Sequence, residues 1–432
     1  MKKINIISLV FLTVIFLLSC KKDNPKSEEY PLEEAYSILS KIYYWNNNIT
    51  EKNKIPLLEA KTYLELFQKL RDYSPINEES QNHIDKWSFV MEKKEWDQIL
   101  EGTSNDPGLG LRFINNEVRI SYVQPNSNAY LSGLRRGMIV NSINNVDCKP
   151  ENTNLLLKEL SIANDFIFQY NSNGNNLIKN FKRSQYKSSD ILLDTIYSLQ
   201  NINVGYIVYN SFSNNSIMEL KSSLERFHRS SIDELIIDLR YNGGGLLSSM
   251  ESFANFISPT TAKGQIMYKE KHNQIYKTFN SVTYFNVDQP LFPNLKRIFF
   301  LTGNSTASAS ELLINILKPY LKAIIVGQVT NGKPYGMYTF NHNGYILSPV
   351  SFESFNAKDI SSGYRGMEPD FVLNESIDKD FGDTKESLLN GALSIIFNDK
   401  IDKRNSIKKI QLNHLFEKQL LSGSIKRNSL IL

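Results

Sequence analysis

Cysteine is nearly absent: Cys20 and Cys148 are the two in 432 residues. One of them closes an apolar leader, so an exported chain of this kind has no disulfide framework. Cys148 is expected to be a small buried apolar residue, not a nucleophile. Histidine is scarce too. His83, His228, His272, His342 and His414 fall in no motif with a serine, and each is expected on the surface or in packing. No sign of charge dominates, with 49 Lys and Arg against 45 Asp and Glu and a net of +4. No basic tract stands out, which argues against a nucleic-acid partner. No cofactor or metal is expected.

Only residues 1–20 form a long apolar run. Lys2 and Lys3 precede a mostly apolar stretch, Ile4 to Leu18, that is shorter than the roughly 20 residues a membrane-spanning helix needs. Leu17-Leu18-Ser19-Cys20 then resembles a bacterial lipobox. That implies a lipoprotein signal peptide over 1–20, lipidation of Cys20, a polar tether over 21–29, and a place in the bacterial cell envelope, on the periplasmic or surface face of the outer membrane. The alternative is an ordinary secretory leader with an incidental Cys20. The rest is ordinary folded-protein composition, with 41% hydrophobic and 11% aromatic residues, and is long enough for two or three domains.

The most informative stretch is 297–336. Ile298 to Leu301 is an apolar run bounded by Gly303 and Asn304 and predicts a buried strand. Leu312, Leu313, Ile316 and Leu317 follow at helical spacing until Pro319 stops them, and Ala323 to Val326 predicts a second strand running into Gly332, Lys333, Pro334 and Gly336. Ser308 stands at the start of this helix. Ser308-Ala-Ser-Glu311 has the spacing of a capping box, and a lone lysine such as Lys333 is most simply a surface charge. A third stretch, 234–246, adds a strand ending in Gly243, Gly244 and Gly245, whose backbone can turn sharply and present N–H groups to an anion.

Together STASASE (305–311), GKPYG (332–336) and DLRYNGGGL (238–246) resemble the C-terminal processing, or tail-specific, peptidases, serine endopeptidases with a Ser/Lys dyad and a PDZ domain. The resemblance implies a multidomain α/β chain whose core alternates strand and helix in the ClpP/crotonase-like manner. It also implies Ser308 as nucleophile, Lys333 as general base, and amides of Gly243 or Gly244 together with Ala309 as the oxyanion hole. A lysine acts as a base only when neutral, so Lys333 is expected to be buried. Family members often carry Gln four residues after the lysine, where this chain has Met337.

Residues 30–103 are expected as an N-terminal helical domain, which includes Asp85 to Val90 (DKWSFV). That segment resembles a short Asp-x-aromatic-Ser element of the family and is given no catalytic role here. Residues 104–186 resemble a PDZ domain, with Gly108, Leu109, Gly110 and Leu111 as the loop and strand that would take a peptide C-terminus by strand addition. Gly133-Leu-Arg-Arg-Gly137 and Ile143-Asn-Asn145 match its turns, with Met138 where Asp is usual and Asn145 where Gly is usual. The protease core is expected over 187–397, with helices over 246–257 and 381–397, a hairpin within 262–296 and a structural closure at 364–370. Residues 398–432 read as a polar tail. The implied function is cleavage of protein or peptide substrates near their C-termini. The alternative is a catalytically weak or inactive PDZ-containing peptide-binding lipoprotein.

Overall fold

The computed structural model describes residues 29–114, 116–172, 174–286 and 290–397. The leader, Cys20, residues 21–28 of the expected 21–29 tether, His414 and the tail lie outside them. A six-stranded sheet forms the centre, in the order Ile191–Leu199, Ile202–Tyr209, Glu234–Asp238, Arg297–Thr302, Lys322–Gly327, Phe371–Val372. Its first pair is antiparallel and the others are parallel. Alternate residues serve opposite faces. Ile207, Ile237, Ile298, Phe300 and Ile325 pack beneath helices Ser216–Arg229, Leu247–Ile257 and Ala309–Leu317. Tyr206, Ile236, Phe299, Leu301 and Val326 pack beneath Ser387–Phe397. Burial on both sides explains the unbroken apolar runs of these strands. Because neighbouring strands run parallel, the loops leaving Asp238, Thr302 and Gly327 emerge at one edge, where sites of such sheets collect.

The expected helix over 381–397 starts only at Ser387. The Glu386 carboxylate accepts from the Leu389 amide at 3.0 Å, so it caps the helix, and residues 381–386 form a loop that carries Glu386 inward.

A second sheet runs Leu109–Ile114, Glu117–Val123, Ile139–Ile143, Asp165–Ser172, Asn175–Lys182, with helix Thr153–Ile162 beside it. It has its own core around Leu111, Ile120, Ile143, Leu156 and Phe168. Asn144 and Asn145 take the left-handed conformation, φ 49° and 65°, which asparagine tolerates where glycine is usual. Met138 sulfur accepts from the Arg135 amide at 3.3 Å, doing weakly what an Asp oxygen would do.

Residues 29–100 hold helices Glu29–Ile42, Ile55–Leu58, Tyr63–Arg71 and Lys93–Leu100, but also strand Phe89–Glu92, which pairs with Tyr345–Ser348. Their buried side chains Leu39, Tyr43, Phe67, Trp87 and Phe89 share one core with Tyr335, Met337, Leu347 and Val350. The N-terminal segment therefore completes its core on strands that follow Lys333. Ile266–His272 and Ser281–Tyr284 pair antiparallel as a hairpin, and the Asp370 carboxylate closes the core by accepting from the Ile325 amide at 2.9 Å.

Candidate active site

Ser308 lies at the junction between strand Arg297–Thr302 and helix Ala309–Leu317. Its φ of 56° and ψ of −118° depart from the extended backbone of an ordinary N-cap. A non-glycine residue held there stores roughly 1–3 kcal/mol of strain, the kind that collects at functional turns. The turn is held on several sides. Thr306 Oγ1 donates to the Leu239 carbonyl and accepts from the Gly303 amide, and the Ala307 amide donates to the Asn242 carbonyl.

The glycine turn lies directly against Ser308. A Cβ on Gly244, at φ 105°, would fall 2.8 Å from Ser308 Cβ and 3.0 Å from the Ala309 amide nitrogen, so only glycine fits. Gly244 serves through this closeness and not as a donor, because its amide is already donated to Asn242 Oδ1 at 2.8 Å. That narrows the expected oxyanion donors to Gly243 and Ala309. The Ala309 amide is among the first four N–H groups of its helix, which the helix itself leaves without acceptors.

Lys333 is 4% exposed, and burial pulls its amine down to about 8, against the pull of Asp85 and Glu311, which raise it. The expectation of a buried lysine is met by a loop tied to the Ser308 turn. The Asn331 amide donates to the Thr306 carbonyl at 2.9 Å, and its side chain donates to the Asn304 carbonyl. Glu311 makes the tightest link. Its fully buried carboxylate accepts from the amides of Ser308 (2.9 Å), Gly332 (2.7 Å) and Lys333 (2.8 Å) and from the Thr330 hydroxyl. Burial raises its pKa, and these four donors oppose the rise. The capping-box spacing found the Ser308–Glu311 half of this arrangement. The other three donors arrive from a loop about twenty residues on, which no local spacing could reveal.

The DKWSFV segment, given no catalytic role from sequence, lies against the Lys333 loop. Trp87 Nε1 donates to Asn331 Oδ1 at 3.4 Å, Lys86 Nζ donates to the Asn331 carbonyl, and the Trp87 ring sits 5.5 Å from that of Tyr335. Met337 is buried in the shared apolar core and brings no polar group toward Lys333.

Beside the glycine turn runs a buried ionic network. Arg240 bonds Asp238, Glu375 and Glu386, while Arg136, in the turn before strand Ile139–Ile143, bonds Glu375 (2.8 Å) and Tyr241. Arg112, from the strand expected to take a peptide, donates to Ser305 Oγ at 2.9 Å. Burial tends to raise Glu375, but Arg136, Arg240 and Arg112 overcome it and hold the carboxyl well below the usual range.

At the expected peptide loop, Leu109 and Leu111 point into the second sheet's core and the Gly108 amide donates to Asp106 Oδ1 at 2.7 Å. Asp106 thus takes one of the amides expected for a carboxylate. Among the described residues, strand Leu109–Ile114, Gly110 included, pairs on one side only, with Glu117–Val123. Burial pushes the Cys148 thiol up to about 12. His83, His228, His272 and His342 bond or pack elsewhere, His272 for example against Tyr338. Among the described residues no group of His, Cys, Asp and Glu is arranged to hold a metal ion.

Residues 203–373 match the model of Peptidase family S41. Two curated proteins called probable CtpA-like serine proteases are similar to the chain: one from Staphylococcus epidermidis is 27% identical over 341 residues, 76% of this chain and 62% of its own. One from Staphylococcus saprophyticus is 24% identical over 301 residues, 67% and 58%. The chain thus spans about six-tenths of the length of the curated relatives it matches. Among solved structures, a putative S41 protease from Bacteroides fragilis superposes with TM-score 0.65 at 21% identity, covering 88% of this chain and 99% of its own. The photosystem II D1 C-terminal processing protease does so with TM-score 0.53 at 17% identity, covering 81% and 94%. At these identities the likeness is one of fold.

Proposed function

From the match of residues 203–373 to the model of Peptidase family S41, we propose that the protein is a serine endopeptidase working through Ser308 and Lys333. The observation that carries the reading is a buried lysine, lowered to about 8, on a loop joined through Glu311 to the strained turn of Ser308. Neutral Lys333 takes the proton from Ser308 Oγ as that oxygen attacks the scissile carbonyl. The Gly243 and Ala309 amides receive the oxyanion, each such donor being worth about 2.7–4 kcal/mol in the transition state. The Lys333 ammonium then protonates the leaving amine, and water releases the acyl group by the same steps in reverse roles.

In this reading residues 104–186 act as a PDZ domain, and the open edge of Leu109–Ile114 takes substrate C-termini by strand addition. Cys20 carries a lipid that holds the protein in the cell envelope; metabolic lipid labelling lost in Cys20→Ala tests this. A second reading, a peptide-holding lipoprotein without turnover, draws on Met337 in place of Gln and on Asp106 at the peptide loop. Incubation with a fluorophosphonate probe and C-terminally tagged peptides separates the two. The parent protein is expected to label and cleave, with Ser308→Ala and Lys333→Ala both inert. Labelling and cleavage that survive both changes would refute the dyad, and an inert parent would favour the second reading.

A further inference from the structure

Resting on the peptidase reading, we propose that Asp85, brought in by the N-terminal segment, is the counter-charge that poises the Lys333 amine, in place of any polar group from Met337. Three observations converge on it. Asp85 is a buried carboxylate, 2% exposed. Its Oδ1 accepts from the Trp87 and Ser88 amides (3.0 and 2.9 Å), and its Oδ2 from the Tyr43 and Ser88 hydroxyls. No Lys or Arg forms an ion pair with it among the described residues, so its charge is held by neutral donors and left to act on its surroundings.

The same segment grips both flanks of Lys333. Trp87 bonds Asn331, two residues before the lysine, and packs on Tyr335, two residues after it. On the third side, Ser88 Oγ accepts from the Val350 amide at 2.9 Å while donating to Asp85, and Val350 is the strand partner of Met337. Asp85 is thereby anchored beside the position whose side chain, Met337, supplies only apolar contact.

The physical need is plain. A lysine with burial alone acting on it would hold a proton so weakly that it would be a poor base toward Ser308 Oγ, whereas catalysis wants a group near the working pH in both directions. Besides Asp85, the titratable groups around this pocket are Glu311 on the Ser308 helix, Lys86 and Arg71 beside the segment, Glu353 on the neighbouring strand, and the phenols of Tyr43, Tyr44, Tyr335 and Tyr364. Asp85 and Glu311 are the two that raise Lys333. Glu311 is taken up by four donors around the Ser308 turn, and Asp85 is the one that another part of the chain supplies.

The test is the pH dependence of kcat/KM on a tagged peptide for the full chain, its Asp85→Asn and Tyr43→Phe variants, with Ser308→Ala as blank. Asn keeps an oxygen for the two amides and offers an NH2 that the two hydroxyls can accept, so the loop is retained. The parent is expected to gain activity with pH around a midpoint near 8. Asp85→Asn is expected to move that midpoint down by roughly one pH unit, with the activity above it reduced. Tyr43→Phe, which keeps the charge, is expected not to lower the midpoint. An Asp85→Asn midpoint equal to the parent's, whatever the loss of rate, would overturn the proposal while leaving the dyad intact. Should Asp85→Asn not fold, a downward shift in Tyr43→Phe would overturn it equally. An inert parent would instead strike the peptidase reading.

Discussion

Glu311 shows how one side chain can fix the relation between two chain segments. Four donors from positions 308, 330, 332 and 333 converge on its two oxygens, and a buried donor left without an acceptor costs about 1–3 kcal/mol. Glu311→Gln puts an NH2 where one pair of these donors points. It is expected to cost about 2–4 kcal/mol, read as a drop in thermal midpoint, and to reduce turnover together with it. A variant of full stability and full activity would show that the carboxylate only caps its helix.

At the scale of elements, the glycine turn and the helix start are shaped for each other. Gly244→Ala sets a methyl 2.8 Å from Ser308 Cβ and 2.9 Å from the Ala307 carbonyl, at a φ that L residues rarely adopt. It is expected to lower kcat/KM by on the order of a hundredfold or more through misplaced donors, and to cost about 1–3 kcal/mol of stability through backbone strain. Parallel kinetics and melting curves check both. The core elements were legible beforehand because buried parallel strands and amphipathic helices write their period into the chain: Leu220, Leu224 and Phe227, spaced four and three apart, lie on one buried helix face. Ser308, Lys333 and the three glycines were legible as motifs. Asp85 was not, because its importance comes from packing against residues some 250 positions away. Neither was Arg240, since an arginine that will be sealed inside looks in sequence like one that will face water.

For the molecule as a whole, the Arg136–Glu375–Arg240–Glu386 network joins the second sheet to the core where the oxyanion turn begins. The pKa values of Glu375 and Glu386 are lowered from 4.5. Carboxyls of this kind contribute their full stability above the unfolded value and lose it as pH falls toward the folded one. The thermal midpoint is therefore expected to hold above about pH 4.5 and to fall steadily below it. Glu375→Gln is expected to begin from a lower midpoint and to show a shallower acid slope. Because the ions are buried, added salt is expected to change the parent's midpoint little. A strong salt dependence at neutral pH would contradict this.

The core that Leu39, Tyr43 and Trp87 share with Tyr335, Leu347 and Val350 has a bearing on how the chain comes to life. As the polypeptide grows from its amino end, the greasy sides of its earliest helices can settle on one another but not complete their core until about 350 residues have been made. Such late closure slows folding and exposes the nascent chain to misassembly. On the peptidase reading, the lysine meets its buried surroundings only when the amino-terminal segment has docked on the strands near position 350, so cutting power is expected to be withheld from any half-made copy.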